Sequence, residues 1–419
     1  MKRKKRVTAL LMLCILLLAI AKPVYSENEP TLYATYAAVT DAETGRVLFA
    51  KRGFEQVPMA STTKILTCII ALEQAELSDT VSVSSYAAQM PQVRMGMREG
   101  EQYILGDLLY ALMLESYNDV AVAIAEHIGG TVEGFARLMN EKAATICDKQ
   151  FYFITPNGLD ATETVNGKTK EHSISAGNLS RIMSYCCFLS PQKDEFLKIT
   201  RTTGKQITSQ ETQGHPVRVF SLNNHNRMLS DERVVSGKTG FTAKAGYCYV
   251  SGVTIKDHNL GISLLACGWP NNKTYKWRDM QALLGFFSEN LTDYTVSAKQ
   301  TMLPQVTADN LCHHIGSSSD RKNSELKIVF RNPEWKRTYT GLLGESCISC
   351  INIQKNLSAP LKKGTVVGTA DWYIGESKVA SMPILIADDY ESNTYKNCLI
   401  HTFNIFLTIC INSHAKLLK

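Results

Sequence analysis

Three short motifs combine residues that could carry out nucleophilic chemistry. They are Ser61-Thr62-Thr63-Lys64, Ser116-Tyr117-Asn118 and Lys238-Thr239-Gly240. A serine hydroxyl needs a base to take its proton, and a lysine can be that base only where burial or nearby positive charge lowers its pKa. A lysine and a threonine between glycines suit a carboxylate, since one supplies charge and the other a hydroxyl donor. The motifs therefore indicate a serine nucleophile, a lysine base and an anion site.

The helix that follows Ser61 must position the first motif. Residues 65–72 are almost wholly apolar, which predicts a buried helix that begins at or just before Ser61. Lys64 then lies one turn from Ser61 on the same face, within reach of its hydroxyl. Unpaired backbone N–H groups at the helix start suit an oxyanion. The alternative is an ordinary N-cap serine with a solvated lysine, because S-x-x-K alone is short and common.

The other two motifs lie in a loop and on a strand. Ser116-Tyr117-Asn118 interrupts two apolar helical segments, which predicts a loop that presents Ser116 and Asn118 into a cavity. The alternative is a plain helix–helix turn in which one of them caps the second helix, and the two are compatible. Lys238-Thr239-Gly240 belongs to a strand-like run, where Gly237 and Gly240 would let a ligand approach the backbone closely. An ordinary hairpin is the alternative for this motif.

Length and patterning predict two domains. The chain has 419 residues and a modest net charge of +6, without a basic run amid aromatic residues, so nucleic-acid binding has little support. Strands and helices mix from about Tyr33 to Asn290, and short apolar runs between Gly, Pro, Asn and Ser follow. We predict a catalytic domain over 27–293 and a small β-sandwich domain over 296–389.

The two ends of the chain indicate export and membrane association. A basic start and an apolar run from Ala9 to Ala21 predict a secretory signal peptide over 1–26, with a retained anchor as the alternative. Residues 394–413 predict an apolar helix with a narrow polar stripe along one face. This helix is too short to span a bilayer comfortably. We expect an anchor helix lying in the membrane surface, and the alternative is a helix docked on the β-domain.

The cysteines do not predict a metal centre. Of the twelve cysteines, Cys14 falls in the signal segment, and several others lie in apolar runs where cysteine behaves as a small hydrophobe. Cys347-Ile348-Ser349-Cys350 is a lone C-x-x-C without a second ligand pair at a recognisable spacing. We predict no metal and no cofactor, and a local disulfide between Cys347 and Cys350 stays open.

The three motifs together are far more specific than each alone. With S-D-N in the middle position, this trio is typical of penicillin-binding proteins and class A β-lactamases. The surroundings resemble the low-molecular-weight penicillin-binding proteins of the serine D-Ala-D-Ala carboxypeptidase family, the S11 peptidases. The resemblance is carried by Thr44–Leu48, Ala60–Lys64, Asp107–Leu112, Ser116–Asp119, Met139–Ala143, Asn157–Asp160, Gly237–Thr242 and Ala245–Cys248, and more weakly by Lys362–Gly368.

The resemblance implies a fold and a place of action. The fold would be the α/β (α+β) penicillin-binding, β-lactamase-like transpeptidase fold, with an antiparallel sheet flanked by helices and a helical subdomain. A small all-β domain and a C-terminal amphipathic helix would follow. The enzyme would remove D-Ala from peptidoglycan stem peptides at the outer face of the cytoplasmic membrane, and β-lactam antibiotics would inhibit it covalently.

The resemblance also implies a role for each site residue. Ser61 would attack the carbonyl between the two terminal D-alanines, with Lys64 as its base and Ser116 as a proton relay to the leaving amine. Asn118 would hold Lys64 and the substrate. The motif around Gly240 would bind the terminal carboxylate through Lys238 and Thr239. The oxyanion hole would consist of the backbone N–H groups of Ser61 and Phe241, and water would hydrolyse the acyl-enzyme.

Departures from the family pattern leave alternatives open. Tyr117 stands where the family usually has Gly or Ala and could narrow the cleft, and Ser236 stands where an acidic residue is common. A β-lactamase is one alternative, although a Glu-x-x-Leu-Asn segment is missing between Asn118 and Lys238. A catalytically weak wall-binding homologue is another, supported only by Tyr117. Transpeptidation with an amine acceptor stays open as well.

Overall fold

The computed structural model of the chain describes residues 29–311, 325–397, 399–400 and 403. One compact unit comprises Glu27–Leu291, and a second begins at Thr292. The predicted signal peptide and most of the predicted anchor helix lie outside the described residues. Among those that are described, none of the helices combines the length and apolar character needed to cross a membrane.

The first unit alternates strands with helices. Its strands are β1 (Tyr36–Asp41), β2 (Val47–Lys51), β3 (Gln56–Val57), β4 (Thr80–Ser82), β5 (Gln102–Ile104), β6 (Phe151–Tyr152), β7 (Thr162–Val165), β8 (Lys168–Glu171), β9 (Ser173–Ser175), β10 (Gly204–Thr208), β11 (Val219–Asn223), β12 (Val234–Thr242), β13 (Gly246–Ile255) and β14 (His258–Leu265). Its α-helices are α1 (Lys64–Gln74), α2 (Ser85–Ala88), α3 (Leu105–Leu114), α4 (Asn118–Gly129), α5 (Val132–Ile146), α6 (Ala176–Ser184), α7 (Lys193–Arg201) and α8 (Tyr275–Asn290). Short 3₁₀ turns occupy Ala60–Thr63 and Arg227–Ser230, and a π-turn extends α6 over Tyr185–Leu189.

The main sheet has five antiparallel strands in the order β12-β13-β14-β1-β2. Helix α6 packs on one face, where the Ser263 hydroxyl donates to the Ala176 carbonyl. Helix α8 covers the other face, where Trp277 meets Tyr249 edge-on. Buried residues thus lie on both faces of β13 and β14, as expected of a sheet between two helical layers. This confirms the predicted antiparallel sheet flanked by helices.

Helix α1 lies at the centre of the first unit. Every residue from Lys64 to Leu72 is buried, and α3, α4, α5 and α7 all pack near it. An apolar helix of this kind is stable only when it is surrounded on all sides. The core helix therefore fixes the position of Ser61 at its entrance, as the sequence predicts.

Two connections in this unit have a defined form. In one, the polar segment from Thr202 to His215 begins a hairpin in which β10 pairs with β11. In the other, the alternative in which Ser116 or Asn118 caps the next helix is wrong, because Tyr117 is the N-cap of α4 and makes no capping side-chain hydrogen bond.

The C-terminal unit is all-β over its described residues up to 394, and the described residues after that are helical. Its strands are β15 (Leu291–Ser297), β16 (Val306–Thr307), β17 (Glu325–Leu326), β18 (Ile328–Phe330), β19 (Lys336–Leu342), β20 (Cys347–Ile353), β21 (Val366–Ile374) and β22 (Ser377–Ile386). Four of them form a sheet in the order β18-β22-β21-β20 over a core that contains Trp372. The short apolar runs at 326–330, 351–353 and 365–369 contribute to strands of this unit.

The possibility that Cys347 and Cys350 form a local disulfide in this unit is wrong. Cys347 and Cys350 are both free and exposed on β20. Side chains three residues apart on a strand point to opposite faces, and the α-carbons lie roughly 10 Å apart at the usual rise per residue. A disulfide needs α-carbons within about 7 Å. Two cysteines at C-x-x-C spacing would form a disulfide in a tight turn, but here the motif lies on a strand.

Gly261 lies where the main sheet contacts α6, and this position leads to a prediction about stability. A β-carbon on Gly261 would lie 2.2 Å from the Ser180 carbonyl oxygen of α6. We expect Gly261→Ala to lower the free energy of unfolding by on the order of 2–3 kcal/mol, because strand and helix would have to separate. Urea denaturation of the purified protein measures this change.

Gly285→Ala is the matched control for that variant. Gly285 is exposed in the middle of α8, and a β-carbon there would meet nothing within 4 Å. Alanine should stabilise the helix by about 0.5–1 kcal/mol. Equal midpoints for Gly261→Ala and the wild type would contradict the proposed close contact.

Candidate active site

Ser61 lies in a strained turn directly before α1. The turn Ala60–Thr63 is a 3₁₀ helix, and Ala60 adopts a left-handed φ of 50°. Such a backbone costs energy for a residue with a β-carbon and persists only where the surroundings impose it. Here the Thr63 hydroxyl, 2.9 Å away, donates to the Ala60 carbonyl. The turn thus holds a half-buried Ser61 side chain at the helix entrance.

The amine of Lys64 contacts three oxygen atoms. Its Nζ lies 2.9 Å from Ser61 Oγ, 3.0 Å from Asn118 Oδ1 and 2.6 Å from the backbone carbonyl of Asn157. The side chain is completely buried. The prediction of a buried lysine facing Ser61 agrees with this geometry, and the alternative of a solvated Lys64 does not.

The surroundings favour the neutral form of Lys64. Burial, followed by the positive charge of Lys238, lowers its pKa well below the usual range, while Asp119 acts in the opposite direction. A neutral amine has two N–H groups and one lone pair. Asn118 Oδ1 and the Asn157 carbonyl have no proton to give, so they take the two N–H groups. The lone pair is then left for the Ser61 hydroxyl proton.

The second motif lies on a bent loop that is fixed by its neighbours. Ser116 has a left-handed φ of 67°. Asn118 is buried, its backbone N–H donates to the Val93 carbonyl at 2.7 Å, and its side-chain amide donates to the Pro91 carbonyl at 3.3 Å. These bonds orient the amide so that its oxygen faces Lys64.

A buried carboxylate anchors the loop that supports Asn118. Asp119 accepts backbone hydrogen bonds from Met95 at 2.9 Å, Gly96 at 2.8 Å and Met97 at 3.1 Å. Asp119 also lies in the first turn of α4, where the helix dipole favours a negative charge. The sequence analysis assigned Asp119 no role, although it directly follows the second motif.

The third motif joins the second through a lysine. Lys238 is buried on β12, and its Nζ donates to Ser116 Oγ at 2.8 Å and to the Thr239 carbonyl at 3.0 Å. Burial lowers the pKa of Lys238 to about 7. Both partners are uncharged, so a ligand carboxylate would be the natural counter-ion for this ammonium.

Glycines let β12 press against the Ser61 turn. A β-carbon on Gly240 would lie 2.9 Å from the Ser61 backbone nitrogen and 3.0 Å from that of Thr62. On the other side of the strand, a β-carbon on Gly237 would lie 2.3 Å from the Tyr249 hydroxyl. The structure therefore brings all three motifs together, and Gly240 is the residue of β12 that lies against the Ser61 turn.

The residues that depart from the family pattern are accommodated without disturbing this arrangement. Tyr117 is half-buried, packs against the helical core, and has its pKa raised by that burial. Ser236 is buried and donates to the Thr200 hydroxyl at 2.8 Å. Phe241, which is not one of these departures, is 41% exposed, and its ring packs at a tilt against Tyr247 with ring centroids 4.6 Å apart.

Two residues that the sequence analysis gave no role also reach the site. The carbonyl of Asn157 accepts from Lys64, but a backbone acceptor leaves no trace in the side-chain sequence. His172 is buried and lies 2.9 Å from Thr63 Oγ1. The sequence around it, Glu171-His172-Ser173, gave no signal that could have singled it out.

Family models account for most of the chain. Residues 24–265 match the model described as D-alanyl-D-alanine carboxypeptidase, Peptidase_S11. Residues 345–392 match the C-terminal domain of penicillin-binding protein 5. The first match covers more than half of the 419 residues, so the chain belongs to the S11 family of serine-type D-alanyl-D-alanine carboxypeptidases.

Individual relatives agree with the family match. The chain is 26% identical over 397 residues to the D-alanyl-D-alanine carboxypeptidase DacF of Bacillus subtilis, covering 92% of this chain and 94% of the relative. It is 25% identical over 384 residues to DacC of Escherichia coli, covering 87% and 86%. The crystal structure of the carboxypeptidase DacD from Francisella tularensis has the same fold, with a TM-score of 0.65, 20% identity, and coverage of 90% and 98%.

The predicted family and fold are confirmed by these similarities. The carboxypeptidase assignment is also confirmed, so the chain is an enzyme of this class. The β-lactamase alternative, which the three motifs alone left open, is not favoured by the family match.

The close approach at Gly240 generates a prediction about activity. We expect Gly240→Ala to lower D-Ala release from a peptide ending in D-Ala-D-Ala by roughly tenfold or more, because a β-carbon would push β12 away from the Ser61 turn. The rate per folded molecule, with folding checked by circular dichroism, measures this effect.

Gly285→Ala again serves as the control, since it adds the same methyl group where nothing lies within 4 Å. It should keep the wild-type rate. A Gly240→Ala enzyme with full activity would show that the strand does not need this contact.

Proposed function

We propose that this carboxypeptidase removes the terminal D-Ala from peptidoglycan stem pentapeptides through an acyl-enzyme on Ser61, and that penicillin acylates the same serine. The observation that carries the proposal is the position of the buried Lys64 amine. It lies 2.9 Å from Ser61 Oγ, with its N–H groups directed to Asn118 and Asn157. This arrangement supports a general base that is neutral before the reaction begins.

Acylation transfers one proton to Lys64 as a bond forms at Ser61. The Ser61 hydroxyl proton moves to Nζ, and Oγ bonds to the carbonyl carbon of the penultimate D-Ala. The resulting oxyanion is stabilised by the backbone N–H groups of Ser61 and Phe241. The C–N bond then breaks, and the proton passes from Lys64 through the Ser116 hydroxyl to the leaving amine. Free D-Ala departs and leaves an ester on Ser61.

Deacylation repeats the proton transfer with water. Lys64, again neutral, takes a proton from a water molecule that attacks the ester carbonyl. The ester bond breaks, Ser61 recovers its proton, and the shortened peptide leaves. A β-lactam follows the same acylation step, but its ring-opened leaving group stays attached to the acyl-enzyme.

Lys238 and Thr239 would hold the terminal carboxylate of the substrate. The Lys238 ammonium is buried between the uncharged oxygens of Ser116 and Thr239. An incoming carboxylate would supply the missing negative charge, and the Thr239 hydroxyl would donate a hydrogen bond to it. This selects peptides with a free C-terminus and places the scissile carbonyl over Ser61. Asn118 would hold the peptide from the opposite wall.

We also propose that the enzyme acts outside the cytoplasmic membrane. Residues 1–26 would direct export, residues 27–293 and 296–389 would form the catalytic and β-sandwich domains, and residues 394–413 would lie in the membrane surface. In the described part of this last segment, the apolar residues Leu399, Ile400 and Phe403 are 52%, 48% and 60% exposed. Their exposure supports a lipid-facing helix over one docked on the β-domain.

The nucleophile and base are tested by D-Ala release from a pentapeptide ending in D-Ala-D-Ala. We expect Ser61→Ala to abolish release and Lys64→Ala to lower it by about 10³-fold or more, because each removes one half of the nucleophile–base pair. Labelling by fluorescent penicillin should disappear with Ser61→Ala. Lys244→Ala is the matched lysine control, since Lys244 lies in an exposed pair with Glu171 and should leave the rate unchanged.

A Ser61→Ala enzyme that still releases D-Ala would refute the assignment of the nucleophile. Activity of Lys64→Ala equal to the wild type would refute the base.

The two buried lysines predict a bell-shaped pH profile. Lys64 must be neutral to act as the base, so kcat/KM should rise with pH as Lys64 loses its proton. Lys238 must be charged to bind a carboxylate, so kcat/KM should fall as pH rises above about 7, the pKa that burial gives Lys238. In the kcat profile the alkaline limb should move to higher pH, since a bound carboxylate stabilises the ammonium.

Initial rates between pH 5 and 10 measure both profiles. A kcat/KM that stays level up to pH 9 would mean that the proton on Lys238 is not needed for binding.

A further inference from the structure

We propose that His172 is a positioning residue for acylation, which ties the Ser61 turn to the loop that carries the Asn157 carbonyl. This inference rests on the proposed acylation of Ser61. His172 touches neither Ser61 nor the Lys64 amine in the described structure. It acts through Thr63 on one side and through the backbone of residues 154–155 on the other.

The hydrogen bonds of His172 define its tautomer. Its Nδ1 lies 2.9 Å from the backbone nitrogen of Ile154 and 3.2 Å from that of Thr155. Backbone N–H groups only donate, so Nδ1 carries no proton. In the neutral ring the proton therefore sits on Nε2, which lies 2.9 Å from Thr63 Oγ1 and donates to it. The Thr63 hydroxyl in turn donates to the Ala60 carbonyl at 2.9 Å.

Every donor in this series of hydrogen bonds has one acceptor, so all of the bonds point in the same direction. The series begins at the N–H groups of Ile154 and Thr155, passes through the imidazole and the Thr63 hydroxyl, and ends at the carbonyl directly before Ser61. A second proton on the ring would oppose two N–H groups, and burial lowers the pKa of His172 to about 3. The imidazole therefore serves as a fixed, uncharged connector.

The two segments that His172 joins are in direct contact. A β-carbon on Gly158 would lie 2.0 Å from the Ala60 carbonyl oxygen and 2.9 Å from Thr63 Oγ1. The loop before Gly158 supplies the Asn157 carbonyl, which lies 2.6 Å from Lys64 Nζ and 3.4 Å from Ser61 Oγ. The left-handed φ of Ala60 sets the direction of the Ser61 side chain. His172 thereby fixes the spacing between the nucleophile and an acceptor of its base.

This role explains why a buried histidine lies beside a lysine base. Reaction rates depend steeply on the geometry of the attacking group, and a misplacement of about 1 Å can cost about 100-fold in rate. A strained turn keeps its shape only when surrounding bonds hold it. The series of hydrogen bonds from His172 supplies such a bond to the Ala60 carbonyl, at the one residue of the turn with a left-handed backbone.

The test measures acylation of the full-length enzyme by a chromogenic β-lactam, as a saturating rate constant and a half-saturating concentration. His172→Asn keeps an oxygen acceptor near the position of Nδ1 and removes the donor to Thr63. Thr63→Val removes the hydroxyl, and Thr63→Ser keeps it. We expect the first two to lower the saturating rate by about tenfold with the half-saturating concentration unchanged, and Thr63→Ser to keep the wild-type rate.

Double variants separate positioning from general loss of stability. His172→Asn combined with Thr63→Val should be no slower than the slower single variant, because both break the same series of hydrogen bonds. Thr62 provides the matched control, since its hydroxyl donates to the Met59 carbonyl at 2.6 Å in the same turn without contacting His172. The effects of Thr62→Val and His172→Asn should therefore multiply.

Two results would overturn the inference. One is a wild-type saturating rate in Thr63→Val, and the other is a multiplicative effect of His172→Asn and Thr63→Val together. If His172→Asn does not fold, the comparison of Thr63→Val with Thr63→Ser still decides. Labelling of Ser61→Ala would instead refute the proposed function, so the two failures are distinguishable.

Discussion

The site depends on keeping the Lys64 amine buried and surrounded by uncharged oxygen atoms. Burial and the charge of Lys238 both disfavour its ammonium form, while Asp119 favours it. A carboxylate in direct contact with the amine would restore its charge. The three polar contacts come instead from a hydroxyl, an amide and a backbone carbonyl. Each comes from a different segment, so the fold must bring the three segments to one atom.

How much of this could be predicted from the sequence depends on how local each contact is. Ser61 and Lys64 are three residues apart at the start of an apolar helix, and helix geometry alone brings them together. The contact between Lys64 and Asn118 spans 54 residues, and only the resemblance to a family suggested it. The Asn157 carbonyl and His172 lay beyond both kinds of reasoning, because one is a backbone atom and the other acts through Thr63.

The two alternatives that the structure overturns, a disulfide at 347–350 and an N-cap at Ser116 or Asn118, failed for the same reason. C-x-x-C at 347–350 is compatible with a disulfide in a turn, and only the pairing of β20 with β21 shows that it lies on a strand. Ser116 has the side chain of a good N-cap, but its left-handed backbone turns that side chain towards Lys238. In both cases a long-range contact overrides what the local residue types favour. Secondary structure was predicted more reliably, because apolar periodicity reports burial directly.

The energetic cost of this arrangement is concentrated around Ser61. Ala60 and Ser116 both hold left-handed backbones, and the two lysines are buried with lowered pKa values. Between the folded pKa of Lys238, about 7, and its unfolded value near 10.5, the unfolded chain binds a proton that the native site does not. The contribution of this group to stability therefore rises with pH across that window and is least favourable below it. A bound carboxylate would act in the opposite direction, because it would stabilise the protonated form of Lys238. The apolar helix α1, buried from Lys64 to Leu72, provides the rigid support that such a strained and desolvated site requires.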